Sequence, residues 1–263
     1  MKYIKGFIIN LQFFTMIPIP LEVPMDDDHL EKAVRTFPLL GLFQGLTYAF
    51  LVYILVHWTP FSSLAIAFFL WIMMIILTGG IHLDGWMDAS DAYFSYCSIE
   101  RRLEIMKDPR IGAFGVLSVI ILLSTKFLFI YEIVTTLTLT SYFAIVFMPF
   151  LSRGLMGILL VLVKPAKEEG LAHHFGSTVD SSLFGIYCVY ILLVSGAFMF
   201  MDKKALPAFM IMLIVTAICF VFIRSKVGRW FGGITGDVLG ASVEGVELML
   251  WMTIWLLHYS VML

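Results

Sequence analysis

Four side chains that can bind a metal ion or move a proton lie close together in the stretch GIHLDGWMDASD, residues 80–91. They are His82, Asp84, Asp88 and Asp91. The three aspartates are spaced i, i+4 and i+7, so on an α-helix they would share one face within about 60° of each other. Like charges held that closely repel one another unless a cation neutralises them. The spacing therefore predicts a cation at this face.

The chemistry of these ligands favours a hard ion. Carboxylate oxygens suit Mg²⁺ or Mn²⁺ better than zinc, and no Cys/His cluster accompanies them. The three cysteines, Cys97, Cys188 and Cys219, are far apart and have no ligand spacing. In the alternative interpretation, the acids mark a helix end and pair with arginines of the next loop.

That next segment, ERRLEIMKDPRIGAFG at 100–115, is rich in cations. Guanidinium groups bind phosphate oxygens in pairs, so arginines beside a metal-binding face suggest a substrate that carries phosphate. Anchoring at the cytoplasmic surface is the alternative role for these cations. The candidate residues are Arg101, Arg102, Lys107, Asp108 and Arg110.

A second polar segment, RSKVGRWFGGITGDVLGASVEGVE at 224–247, adds further candidates. Its glycines leave backbone amides accessible, as anion-binding turns require, although an ordinary loop is the alternative. The candidates here are Arg229, Thr235, Gly236 and Asp237.

The elements that must position these residues are membrane helices. The chain has 263 residues, 60% of them hydrophobic and 14% charged, and its mean hydropathy is +0.96. Such a chain is an integral membrane protein, because a soluble domain needs a polar shell. We predict an all-α polytopic bundle in one domain, 1–263, with about seven spans of roughly 20 residues. The spans are 37–58, 61–79, 111–134, 140–163, 183–201, 205–223 and 244–262.

Residues 6–20 are apolar but short, and Pro18 and Pro20 would break a helix there. We expect an interfacial or re-entrant segment instead of an eighth span. Seven spans place the cationic loops and the N-terminal lysines on one side, whereas the opposite loops carry only Lys203 and Lys204. The positive-inside rule makes the cationic side cytoplasmic. In the acidic segment that follows, Asp28 is the expected helix N-cap.

Charged residues also occur inside the spans. Arg153 should face the bundle interior and meet an acid or a substrate phosphate. For Lys126, the alternative to an interior role is that its side chain extends along the helix and places the amine at the membrane surface. Glu244 and Glu247 enter the last span.

Three segments together, GIHLDGWMDASD, ERRLEIMKDPRIGAFG and GRWFGGITGDVLGASVEGVE, resemble the cobalamin synthase family of adenosylcobinamide-GDP ribazoletransferases. The N-terminal FFTMIPIP and FPLLGLFQG are similar to the same family, so the resemblance covers nearly the whole chain. The aspartate spacing is also similar to part of the CDP-alcohol phosphotransferase motif. The chain departs from the family at AYFSYCS, where relatives are glycine-rich, and at DPR, where DSR is common.

The resemblance implies a multi-pass enzyme of the bacterial cytoplasmic membrane that depends on Mg²⁺. It would join adenosylcobinamide-GDP to α-ribazole or its 5′-phosphate, releasing GMP at active-site loops that face the cytoplasm. The family's HLDG…D…D motif corresponds to His82, Asp84, Gly85, Asp88 and Asp91, and its MKD and TGD elements to Lys107, Asp108, Thr235, Gly236 and Asp237.

These inferences combine into one hypothesis for the site. Asp84, Asp88 and Asp91, with Asp108 or Asp237, would hold Mg²⁺ against a pyrophosphate, and the arginines would bind phosphates. A carboxylate free of metal, or His82, would take the proton of the attacking hydroxyl. The partners are then the two substrates and the lipid bilayer. Nucleic acid is not an expected partner, and a homo-oligomer is compatible with the sequence. The rival function is an ion- or proton-coupled transporter that uses the acids as a relay.

Overall fold

The apolar runs of the sequence fold as α-helices in a computed structural model that describes residues 1–203 and 205–260. Within those residues no β-strand forms, and the one strand-like contact is an isolated bridge between Pro165 and Ile234. The all-α fold is therefore confirmed. The helices are α1 (Lys2–Phe14), α2 (Asp27–Arg35), α3 (Phe37–Trp58), α4 (Ser63–Thr78), α5 (Ile81–Phe94), α6 (Ile99–Ile105), α7 (Ala113–Thr135), α8 (Leu139–Leu162), α9 (Leu171–Ser177), α10 (Leu183–Met201), α11 (Ala205–Phe231) and α12 (Gly236–Tyr259).

Six of these helices, α3, α7, α8, α10, α11 and α12, are long and apolar enough to cross a membrane. The seventh predicted span corresponds to α4, which has 16 residues. It passes the same test only together with α5, from which it is separated by an 85° bend. Six to seven candidate spans agree with the predicted count, and they make this a multi-pass membrane protein.

Two predicted boundaries were wrong. Helix α11 continues two turns past residue 223, so Arg224, Lys226 and Arg229 lie on its last turns and not in a loop. Helix α12 begins at Gly236, eight residues before the predicted start at 244. Residues 261–262 of that span, and Lys204 among the opposite-side cations, lie outside the described part of the chain.

The N-terminal segment forms a short helix that is not among the candidate spans. Helix α1 ends at Phe14, before Pro18, and packs against α2 and α3. The N-cap of α2 is Asp26, whose carboxylate accepts the backbone N–H of His29 at 3.0 Å. The assignment of Asp28 as the cap was wrong, because the helix starts two residues earlier and places Asp28 in its first turn.

Contacts between loops support the predicted topology. Arg35 of α2 donates to Ser182 before α10 at 2.7 Å, and Arg102 donates to the carbonyl of Trp230 at 2.9 Å. The backbone N–H of Ala166 bonds to Ile234 at 2.9 Å. These pairs connect the four cationic regions, which the sequence predicts on one side. At the other end of the bundle, Tyr259 donates to Glu132 at 3.0 Å.

Four charged side chains are buried together inside the bundle and form the buried quartet: Lys126, Arg153, Glu244 and Glu247. The Lys126 ammonium bonds both glutamates, and its distance to Glu247 is 3.2 Å. The Arg153 guanidinium donates to Glu247 at 2.9 Å. Arg153 thus meets an acid, one of the two partners predicted for it. Lys126 does not extend to the surface, because two carboxylates inside the bundle balance its charge.

Removing one member of the buried quartet should destabilise the protein strongly. We expect Lys126→Met to cost about 3–5 kcal/mol, because it leaves two buried carboxylates with only Arg153 as a cation. Thermal unfolding in detergent measures the change, and Lys203→Met, at an exposed position, is the matched control. Equal melting temperatures for the two variants would contradict a stabilising role for the quartet.

Candidate active site

A pair of glycines sets the direction of the helix that carries the three aspartates. Gly79 and Gly80 have φ angles of 63° and 73°, in the left-handed region that residues with a Cβ adopt at a cost. Helix α4 therefore ends at Thr78, and α5 starts at Ile81 in a new direction. The bend turns the aspartates away from the axis of α4.

The acid face consists of Asp84, Asp88 and Asp91 on α5. The helix predicted for this stretch is present from Ile81 to Phe94, so the three side chains share one side. Asp84 is exposed, and Asp88 and Asp91 are half-buried. Asp237, at the start of α12, is a fourth carboxylate in electrostatic range of Asp88. The structure thus adds Asp237 to the acid face across a helix interface.

Asp91 has a structural partner. Its two carboxylate oxygens accept the backbone N–H groups of Gly112 and Gly115, at 2.7 and 2.8 Å. These amides lie at the N-terminus of α7, where backbone donors lack partners within the helix and a negative charge is favourable. Asp91 therefore connects α5 to α7.

The acid face is also held close to α12. A Cβ added at Gly85 would lie 2.7 Å from the carbonyl oxygen of Asp237, and one at Gly240 would lie 3.2 Å from the Cα of His82. The two helix backbones approach this closely because both positions lack a side chain. The absence of a side chain at Gly85 therefore permits the close approach of α5 to α12.

Ligands for a cation are available as separate oxygens, not as a ready-made cluster. Among residues 1–203 and 205–260, no three His, Cys, Asp or Glu side chains are close enough together to hold a metal ion. Mg²⁺ is commonly bound by one or two carboxylates together with substrate phosphates. Asp84, Asp88 and Asp237 fit that requirement, because they are carboxylates on two helices that pack together, and Asp88 lies in electrostatic range of the other two. Asp91 offers only the lone pairs that the two amides leave free.

Three of the predicted phosphate-binding arginines have partners. Arg110 donates to Asp108 through Nε at 2.9 Å and Nη2 at 2.6 Å. This pairing lowers the pKa of Asp108 to about 2. Arg110 therefore occupies a carboxylate that the sequence predicts as a metal ligand. Arg101 pairs with Glu104 at 2.6 Å. Arg102 bonds the Trp230 carbonyl, and its guanidinium lies 5.7 Å from the centre of the Tyr93 ring.

Lys107 is exposed and lies near a second lysine, Lys167, for which the sequence analysis predicted no role. Partial burial and the charge of Lys107 lower the pKa of Lys167, while Asp237 acts in the opposite direction. Two ammonium groups beside an acid form a site where an anion would be favoured. The sequence feature that could have identified Lys167 as a site residue is its position in a loop on the cationic side of the membrane.

The remaining candidates lie around the start of α12. Thr235 is its N-cap, accepting the Val238 N–H at 3.1 Å. Gly236 follows with an exposed backbone, and Arg229 is exposed at the end of α11. These residues lie within one turn or loop of Asp237.

Two predicted site residues are not on the acid face. His82 lies on the opposite side of α5, rotated by about 160° from Asp84, and its ring stacks on Phe14 with centroids 5.8 Å apart. Arg153 belongs to the buried quartet. His82 nevertheless lines a small cavity together with Asp84 and Asp237.

A large cavity, of about 910 Å³, lies between α5, α7, α11 and α12. Its α5 residues include Trp86, Ala89 and Tyr93, which occupy the face of the helix opposite the aspartates. A ligand in this apolar cavity would contact the back of α5. The acid face therefore lies outside this cavity.

Substituting Gly85 should force α5 and α12 apart. We expect Gly85→Ala to cost about 1–3 kcal/mol, because the new methyl group meets rigid backbone of Asp237. Thermal unfolding of the detergent-solubilised protein measures this change. Gly228→Ala is the matched control, since it is also in a helix and has no atom within 4 Å of the added Cβ. Equal stability of the two variants would contradict the close contact.

The aspartates of the acid face should differ in their effect on stability. Asp91→Asn should cost about 2 kcal/mol, because it weakens two charge-assisted hydrogen bonds to α7. Asp88→Asn should leave stability unchanged or raise it, since it removes one of several like charges. Thermal unfolding in Mg²⁺-free buffer compares them, and a larger loss for Asp88→Asn would overturn these assignments.

Comparison with known proteins shows to which family the sequence belongs. The profile of the family described as cobalamin-5-phosphate synthase matches residues 6–255. The chain is 40% identical to the adenosylcobinamide-GDP ribazoletransferase of Geobacillus sp. (strain WCH70) and 42% identical to that of Geobacillus kaustophilus, over 98% of each chain. It is 32% identical to the protein of that name from Clostridioides difficile, over 97% of this chain and 98% of the relative. No solved structure matches. The chain belongs to the cobalamin-5-phosphate synthase family.

Proposed function

We propose that this protein transfers the phosphocobinamide group of adenosylcobinamide-GDP to α-ribazole or α-ribazole 5′-phosphate. The products are adenosylcobalamin, or its 5′-phosphate, and GMP, which makes the reaction the nucleotide-loop assembly step of cobalamin biosynthesis. The observation that carries this proposal is the acid face of α5, set beside Asp237 and the lysines Lys107 and Lys167. The names of the relatives supply the substrates.

We assign Mg²⁺ to Asp84, Asp88 and Asp237, whose oxygens are the ligands that this ion prefers. When bound, the ion supplies charge neutralisation to a pyrophosphate and to the departing phosphate. Without a cation the carboxylates would repel a substrate of the same charge. The exposure of Asp84 leaves the site accessible from outside the bundle.

The bonds change in one displacement. The 3′-oxygen of α-ribazole attacks the phosphorus attached to cobinamide, while the bond from that phosphorus to the bridging oxygen breaks and GMP leaves with the bond's electrons. The hydroxyl proton passes to a carboxylate oxygen that the metal does not occupy. Asp84 and Asp237 both line the small cavity, so we assign this role to an oxygen of one of them that the metal leaves free.

The cations of the site have separate tasks. Lys167 interacts electrostatically with Asp237, and Lys107 lies beside Lys167, so we assign both lysines to the phosphates of the GDP group. Thr235 and Gly236 form the start of the same helix, where an accessible backbone N–H favours anions, and Arg229 precedes it at the end of α11. For Arg101, Arg102 and Arg110, binding a substrate phosphate would require them to exchange or share the partners that they have here.

We also propose that the site opens at the cytoplasmic face of the bacterial inner membrane. The cationic regions contact one another at this end of the bundle, and positive loops remain on the cytoplasmic side. Water-soluble substrates would then reach the acid face without crossing the bilayer.

A transporter is the less favoured function. Such a protein needs ionisable groups that exchange partners along a path through the membrane. The buried quartet instead pairs its two cations with its two carboxylates. Asp84, Asp88 and Asp91 lie together on one helix beyond the bend, not along such a path.

The activity is tested directly by release of GMP. Purified protein in detergent, given Mg²⁺, adenosylcobinamide-GDP and α-ribazole 5′-phosphate, should release GMP, and a chelator should stop the release until Mg²⁺ is restored. We expect Asp88→Asn to lower the rate at least about 100-fold, because the acid face loses a ligand. Asp27→Asn, the same change at an exposed position on α2, should leave the rate unchanged.

Three results would contradict the proposal in different ways. A folded wild-type protein that releases no GMP would exclude the transferase activity. Undiminished release from Asp88→Asn would remove the acid face from the mechanism. Proton flux into liposomes in the absence of both substrates would support the transporter.

A further inference from the structure

A small aromatic cavity lies beside the acid face, and its aromatic walls have no role in the reaction described above. Its volume is about 140 Å³, well below the roughly 300–1,000 Å³ of pockets that enclose drug-sized ligands. It is therefore of a size for one small ring system, not for a corrin macrocycle. Three phenylalanines, Phe14, Phe37 and Phe175, contribute to its walls from α1, α3 and α9.

The rings of this aromatic cavity are arranged around a shared space. Phe14 and Phe37 meet edge to face with centroids 5.5 Å apart, and Phe37 and Phe175 are 6.1 Å apart. Such surfaces favour a flat aromatic ligand, because stacking on aromatic side chains adds to the burial of apolar area. They come from helices far apart in the sequence, so the cavity depends on the assembled fold.

One polar atom in the cavity wall lacks a partner. His82 is 3% exposed, and its Nε2 is buried without a hydrogen-bond partner among residues 1–203 and 205–260. A buried polar atom left unpaired costs free energy, so a ligand that supplies a partner is favoured. The wall thus offers an aromatic surface and one hydrogen-bonding nitrogen.

The cavity also has polar side chains in its wall. Asp84 and Asp237 of the acid face line it together with the phenylalanines. A ligand that fits both kinds of wall has an aromatic body with one polar ring atom and a hydroxylated end directed to the carboxylates. That description matches a nucleoside whose base has few polar groups.

We infer that the aromatic cavity binds the base of the acceptor nucleoside, with His82 donating a hydrogen bond from Nε2 to the free ring nitrogen of the base. This inference rests on the proposed function, since that function supplies the acceptor. The dimethylbenzimidazole of α-ribazole has one free ring nitrogen and an otherwise apolar edge. Guanine has several donors and acceptors along its edge, which a single histidine does not satisfy.

The first test measures the KM of each substrate separately in the GMP-release assay. Phe175→Leu should raise the KM for α-ribazole about tenfold, because it removes an aromatic stacking surface, and should leave the KM for adenosylcobinamide-GDP unchanged. Phe13→Leu is the matched control, since Phe13 contacts Phe14 and Phe175 at 6.4 and 6.2 Å but does not line the cavity. An unchanged acceptor KM in Phe175→Leu, or an equal rise in Phe13→Leu, would overturn the inference.

The second test addresses His82 through a substrate analogue. A dimethylindole riboside lacks the free ring nitrogen, so wild-type protein should use it with a KM about tenfold above that for α-ribazole. His82→Leu should lose this discrimination, while His82→Gln, which retains an N–H donor, should keep much of it. A purely structural role would lower the stability of His82→Leu and leave its discrimination intact, which would overturn the assignment.

A third measurement needs no variant. Free 5,6-dimethylbenzimidazole should inhibit the wild-type protein competitively against α-ribazole and not against adenosylcobinamide-GDP, and guanosine should not inhibit in this way. Competition against the GDP substrate would overturn the inference. If the wild-type protein releases no GMP, the proposed function fails. Calorimetric binding of α-ribazole to wild type and Phe175→Leu then tests the cavity independently, and equal affinities would refute it.

Discussion

The left-handed backbone at Gly79 and Gly80 is the constraint on which the site depends. A span that continued straight would carry its aspartates along the bundle axis, where charged groups are costly and separated from the loops. Because two successive residues adopt positive φ, α5 leaves the direction of α4 at 85°. It then packs against α7 and α12, which fixes the side on which its carboxylates lie. The bend thus places the three aspartates, which share one face of α5, at the end of the bundle.

The contacts of α5 with α7 and α12 hold the carboxylates of the site in place. Gly85 brings the α12 backbone close enough for Asp237 to join the acid face, and Asp91 ties α5 to the start of α7. Deeper in the bundle, Lys126 of α7 connects to Glu244 and Glu247 of α12. Helices α7 and α12 are therefore connected twice, through α5 at the site and through the buried ion pairs deeper in the bundle. A substitution at one of these places should also affect the structure at the other.

Much of this arrangement could be predicted from sequence, because it follows from local periodicity. The span 183–201 coincides with α10, and the i, i+4, i+7 spacing placed three aspartates on one face. What the sequence did not predict depends on contacts between distant segments. Glycines permit the bend without requiring it, and the pairing of Arg153 with Glu247 joins positions 94 residues apart. The arginine and lysine side chains could only be assigned to phosphates by type, whereas the fold gives several of them protein partners.

The two faces of α5 separate polar from apolar surroundings, and this bears on why polar substrates would react in a membrane protein. Phosphates would remain near the loops with Lys107 and Lys167, where water and cations stabilise their charge. An apolar base gains free energy when it leaves water, and the aromatic cavity, which Asp84 and Asp237 also line, offers such a place beside the carboxylates. A soluble enzyme would have to build this gradient of polarity into its own core. In the proposed reaction, the boundary between the loops and the membrane-embedded helices would supply the gradient, and α5 would bring the two substrates together there.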